Sequence, residues 1–142
     1  MFLHLKSLTD PRGFGLRDDM LEKAIKFRKT LNKASGSGKA NYVFMGDLNT
    51  MGMNLTYNDK DISGIEEIGR LQKRLNIKSV QMNILDKNHP TTWWPGTDSS
   101  YEPSNLDHVV AANHMEFKRF DGRSVDVRGQ APGSSPQRQP TD

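Results

Sequence analysis

The chain has 142 residues, of which 34% are hydrophobic and 26% charged, with 20 Lys and Arg against 17 Asp and Glu and a formal net charge of +3. That is one domain's worth, enough to bury a core of moderate size, and the slight cationic excess suits an anionic substrate without requiring one. It has no cysteine, which excludes disulfides, thiolate metal sites and cysteine nucleophiles and leaves any metal to oxygen or imidazole ligands.

Phe2 to Leu5 is a short apolar run that reads as a strand running into a loop at Lys6 to Gly13. Leu16, Met20, Ala24, Phe27 and Leu31 then recur at helical steps, with Leu21 and Ile25 widening the stripe and charged residues on the other face. The cluster Lys23, Lys26, Arg28, Lys29 and Lys33 is read as the solvated face of that helix, with a nucleic-acid footprint as the minority alternative. Ala34-Ser35-Gly36-Ser37-Gly38 stops the helix. Tyr42-Val43-Phe44-Met45 has the continuous apolar character of a buried strand and meets the polar sequence Gly46-Asp47-Leu48-Asn49.

A second helix is predicted from near Ser63, where Ser63 and Glu66 have capping-box spacing and Ile65, Ile68, Leu71 and Leu75 follow in register. Ser79 to Leu85 is a candidate strand, Asn88 to Ser104 a polar loop carrying Trp93 and Trp94, and Leu106 to Ala112 a further strand. Met115–Phe120 and Ser124–Val127 resemble a hairpin turned at Asp121-Gly122. From residue 129 apolar patterning stops, so a domain over 1–128 and a disordered tail over 129–142 are expected. The order of elements predicts an α/β layered arrangement with helices on one face of a sheet. No stretch approaches the ~18–20 apolar residues of a membrane span, and Met1 to Lys6 lacks a signal peptide's basic region, which leans towards the cytoplasm.

Four segments could carry chemistry. In Gly46-Asp47-Leu48-Asn49, a carboxylate two residues from a carboxamide at a strand end can hold or deprotonate a water while the amide donates to a phosphoryl oxygen; turn chemistry is the plain alternative. In Asn105-Leu106-Asp107-His108, neighbours in a strand face opposite ways, so Asp107 and His108 cannot share a site, and Asp107 is the candidate. His4 and Lys6 share a strand face where either could pair with a phosphate. Trp93 and Trp94 either cap the core or form an apolar wall beside an organic group.

In this order His-Leu-Lys-Ser, Gly-Asp-Leu-Asn, Thr-Trp-Trp and Asn-Leu-Asp-His-Val resemble, over roughly residues 2–127, the second half of the endonuclease/exonuclease/phosphatase superfamily, which includes deoxyribonuclease I. The resemblance implies part of a four-layer α/β/β/α sandwich and a phosphoester hydrolase, nuclease or phosphatase, dependent on Mg²⁺ or Mn²⁺. It also implies that Asp47 orients the water, Asn49 contacts the phosphate, Asp107 supports a His or a metal, and His4 and Lys6 lie near the phosphate, with Asp47 and Asp107 as the metal ligands. The family's metal-binding Glu and its closing Ser-Asp-His strand have no counterpart in these residues, so a weak metal site and low activity are expected. The partners expected are a phosphoester substrate, nucleic acid among the candidates, and a second copy packed on an exposed sheet face. The alternative is a binding or interaction module without catalysis.

Overall fold

The computed structural model describes residues 1–55 and 60–128; the tail expected over 129–142 lies outside them. The elements are β1 (Phe2–His4), α1 (Pro11–Ala34), β2 (Val43–Asp47), α2 (Gly64–Leu75), β3 (Met82–Ile84) and β4 (Asp107–Ala112). The strands form one mixed sheet in the order β1-β2-β4-β3. β1 runs parallel to β2, and β4 is antiparallel to both its neighbours. The fold is mixed α+β.

Local chemistry sets the helix ends. The Asp10 side chain caps α1 by accepting from the backbone N–H of Arg12 and Gly13, with Pro11 in the first turn, where its missing donor costs nothing. Ser63 and Glu66 form the reciprocal capping box at α2, at 3.1 and 2.8 Å.

Alternation along the strands divides the sheet into two faces. Phe44, Val110 and Met82, all fully buried, pack with Leu21, Ala24, Ile25, Leu71 and Leu75 on the helix side. The opposite face carries Phe2, Val43, Met45 and Val109, none of them buried. Phe117, Phe120 and Val125 border it around a cavity of about 510 Å³. The hairpin expected at 115–127 reduces to a single bridge between Phe120 and Arg123 among the described residues. The chain there pairs instead with the segment after β3, Lys87 bridging to Val125.

The buried stripe of α1 is rotated from the one expected. Leu16, Met20 and Phe27 are exposed, whereas Arg17 and Arg28 are buried beside Leu21, Ala24 and Ile25. Arg28 therefore does not belong to a solvated face; it donates to the carbonyls of Ala40 and Val80. Of the remaining cluster, Lys23 and Lys26 do lie outside, in i,i+4 pairs with Asp19 and Glu22.

Arg17 tolerates burial because each nitrogen of its guanidinium has a partner. Its Nε and Nη2 donate to the Glu67 carboxylate at 2.8 and 3.0 Å. Nη1 donates to the carbonyls of Lys6 and Leu8, and Nη2 also to that of Gly52. The Gly52 N–H in turn donates to Glu67 at 2.7 Å. Gly52 has φ +80°, and a Cβ there would lie 2.0 Å from the Ile62 carbonyl oxygen, so no other residue fits.

Removing one partner of such a pair leaves an uncompensated buried charge, at a cost of about 3–5 kcal/mol. Glu67→Ala should lower the free energy of urea unfolding by about that amount, and Arg17→Met combined with Glu67→Leu should recover little of it, because the Lys6, Leu8 and Gly52 carbonyls and the Gly52 N–H then lose their partners. A loss below about 1 kcal/mol for Glu67→Ala, typical of an exposed pair, would contradict this reading.

Candidate functional site

The sheet register brings three of the sequence-predicted residues into one row. His4 pairs with Asp47, and Asp47 pairs with Asp107 across the β2–β4 ladder. Directly opposed residues place their Cβ atoms ~4.5–5.5 Å apart, so the two carboxylates share one end of the open face, two residues beyond Phe2, Met45 and Val109.

Asp47 uses its two oxygens differently. Oδ1 accepts from the backbone N–H of Asn49 at 2.9 Å, and Oδ2 lies 3.6 Å from His4 Nε2, whose side chain is 82% exposed. Gly46, just before it, has φ +133°, and a Cβ there would stand 2.1 Å from the Leu3 carbonyl oxygen. The glycine is what lets β1 lie against β2 at the site.

Asn49 does not continue the strand's alternation. β2 ends at Asp47, and Asn49 turns into the left-handed region at φ +48°, a conformation asparagine tolerates. Its amide is buried and donates to the Leu5 carbonyl at 2.9 Å, tying the ends of β1 and β2 together. Asp47 and Asn49 thus stand two residues apart in the chain without pointing the same way.

Asp107 and His108 do face apart. His108 is buried on the helix side, where its Nε2 lies 2.9 Å from Thr50 Oγ1 and 3.2 Å from the Asn105 carbonyl. The Thr50 hydroxyl donates its hydrogen to that same carbonyl at 2.7 Å, so the Nε2 proton belongs to His108. Nδ1 is then a buried acceptor without a partner among the described residues.

Sequence reasoning passed over Lys87, Thr92 and Thr50, all of which hold the start of β4. Thr92 Oγ1 accepts from the backbone N–H groups of Leu106 and Asp107 at 3.0 and 2.9 Å. Lys87 Nζ donates to the Asp107 carbonyl at 2.6 Å and to Asn105 Oδ1. Burial pushes the Lys87 ammonium down to about 8, while the Asp107 charge pulls it back up. The only hint in the sequence is that Thr92 precedes the tryptophans. Lys87, Thr92 and Asp107 line a cavity of about 370 Å³ with Phe2, Met45 and Val109. Trp93 pairs with Ser104 and closes the loop before β4; neither tryptophan lines this cavity or the larger one. Lys6 is exposed, and its carbonyl accepts from Arg17.

Mg²⁺ is commonly bound through one or two carboxylates with water completing its octahedron. Asp47 and Asp107 fit such a hydrated cation. Among the described residues, no group of three or more His, Cys, Asp and Glu gathers to form a dedicated cage.

His108 makes stability depend on pH. Its pKa is pushed down from 6.5 to about 4, by burial first and then by the Lys87 charge, against the pull of the Asn105 carbonyl. The unfolded chain takes up this proton near the ordinary value, so the contribution is complete above about pH 6.5 and is lost as pH falls towards 4, about 3 kcal/mol in all. Unfolding free energies measured from pH 7 to 4.5 should fall less steeply for His108→Gln than for the natural chain. Parallel curves would show that His108 titrates normally.

No family model and no curated protein matches the chain, so the superfamily membership suggested by the order of its motifs is not upheld. A solved structure of a β-hairpin deletion mutant of beta toxin from Staphylococcus aureus is similar over 99% of this chain and 48% of its own, with a TM-score of 0.56 and 16% sequence identity. The chain spans about half the length of that protein, and likeness at this identity establishes a shared fold alone. No helix among the described residues is long and apolar enough to cross a membrane.

Proposed function

We propose that the chain carries part of a metal-assisted phosphoester hydrolase site, centred on Asp47 and Asp107. The observation that carries this reading is their pairing in register. Like charges directly opposed across a ladder are destabilising, and a local rule broken without a structural gain is what a functional site looks like. In this reading Asp47 holds and deprotonates the attacking water, with His4 beside it to take up charge. The Lys6 ammonium would face the developing charge on the phosphoryl oxygens, while Asn49, its amide held by the Leu5 carbonyl, fixes the turn after Asp47. Asp47 and Asp107 would also hold Mg²⁺ or Mn²⁺, which when bound supplies further charge stabilisation there.

The same reading takes the open sheet face as an inner face of a four-layer α/β/β/α sandwich. Phe2 at 83% exposure and the half-buried Val43, Met45 and Val109 support it, since exposed apolar patches of this kind mark association. A second copy of the chain is one source of the covering layer. A binding module without catalysis is the second reading, favoured by the small number of metal-ligating groups that gather at the row.

Incubation with bis(4-nitrophenyl) phosphate and Mn²⁺ separates the two. Slow turnover is expected, and Asp47→Asn or Asp107→Asn should each reduce it ~10²–10³-fold, the usual effect of losing one preorganised group. Turnover indifferent to both substitutions would remove the assignment, and none at all would favour the binding module.

A further inference from the structure

For Asp107 to face Asp47, the first residue of β4 must be fixed where a long loop enters the sheet. Thr92 does this for the N–H groups of Leu106 and Asp107, and Thr50 for the Asn105 carbonyl. The Leu106 carbonyl is tied to the N–H of Leu48 at 2.9 Å, beside Asp47 in the chain. That leaves the Asp107 carbonyl and the Asn105 carboxamide, and both go to Lys87. The lysine is itself anchored from the other side, because Asp86 and Asn88 exchange backbone hydrogen bonds with Val125 at 3.0 and 3.1 Å.

We infer that Lys87 is a positioning residue for the proposed site: its ammonium straps the Asn105 side chain to the Asp107 carbonyl and so holds the Asp107 carboxylate in the row with Asp47. A hydroxyl could donate to only one of the two acceptors. The ammonium has three hydrogens, meets two acceptors at once and makes charge-assisted bonds, which are roughly twice as strong as neutral ones. The price is partial desolvation of a cation, which a solvated lysine at the same place would avoid. The inference rests on the reading that Asp47 and Asp107 act together, but the strap itself is a matter of geometry and is tested separately.

Lys87→Ala removes the atoms of a propylammonium ion beside an open cavity, so that ion can be added back. Lys87→Met fills the same space without charge and guards against misfolding of the alanine variant. Amide exchange at Leu106 and Asp107 reads the strap, and turnover of bis(4-nitrophenyl) phosphate with Mn²⁺ reads the site. Exchange at both amides should rise about tenfold in each variant as the local opening becomes easier. The kcat should fall ~10–100-fold, the usual effect of losing a supporting contact, with KM little changed. Propylammonium should restore both properties saturably in Lys87→Ala and neither in Lys87→Met. Natural exchange rates at Leu106 and Asp107 in Lys87→Met would overturn the inference, as would a loss of kcat that propylammonium does not restore. If the natural chain shows no turnover, the hydrolase reading fails, and amide exchange with its rescue still decides whether Lys87 is the strap.

Discussion

The bidentate pair between Arg17 and Glu67 is the constraint on which the other parts depend. It joins the two helices, the loop that leaves β1 and the loop that leaves β2, since Lys6, Leu8 and Gly52 all give their carbonyls to the same guanidinium. Those loops follow His4 and Asp47 directly. A buried ion pair is poor evidence for net stability, because desolvation offsets much of the attraction. What it supplies here is a fixed geometry: one rigid planar group meets five acceptor contacts at set angles. Leu8 is held at φ +108°, a conformation leucine rarely adopts, while its carbonyl binds Arg17 at 2.7 Å. The pair therefore holds local strain next to the strand ends that carry the candidate site.

From that frame the electrostatics of the site follow. Asp47 and Asp107 are opposed on neighbouring strands, with the His4 ring at the edge and the Lys87 ammonium beneath the start of β4. His108 is directed to the other side, where burial and Lys87 keep it neutral. The helix side of the sheet is thus closed, its buried charges Arg17 and Glu67 paired with each other, and the acidic row stands at the rim of an open apolar face. In the proposed reading that rim gathers a cation and a phosphate, and the adjoining face is left for another layer to cover.

Much of the fold was legible in the sequence. The apolar run of Tyr42 to Met45, the capping pair Ser63 and Glu66, and the strand before Ala112 announce themselves through local pattern, and each lies where that pattern says. The buried stripe of α1 was not legible. Arg17 and Arg28 read as solvent-facing because charge is normally outside, and only the acceptors gathered from distant segments make their burial tolerable. The candidate site was legible for the same kind of reason. Asp47 and Asp107 stand out as polar residues at the ends of apolar strands, and the alternation rule separates Asp107 from His108. Their pairing depends on which strands are neighbours, which local sequence does not encode. Lys87 and Thr92 were missed because they act on backbone atoms reached across a loop. Asn49 was misdirected because the strand ends at Asp47 and the chain turns left-handed at Asn49, which alternation along a strand does not foresee.

The family drawn from motif order shows the limit of short motifs. Gly46 has a sufficient local cause in the approach of β1, and Thr92 in capping the entry to β4. Residues with such causes can recur in any sheet of this shape, so they carry the fold further than they carry descent. What they leave to chemistry is the cation expected between the two carboxylates. A crystal of the natural chain soaked in Mn²⁺ and measured at the manganese absorption edge tests that directly. One anomalous peak is expected at the open-face end of the sheet, beside Asp47 and Asp107, and it should be lost in Asp47→Asn. Manganese bound elsewhere, or no peak with both carboxylates free of crystal contacts, would contradict this assignment.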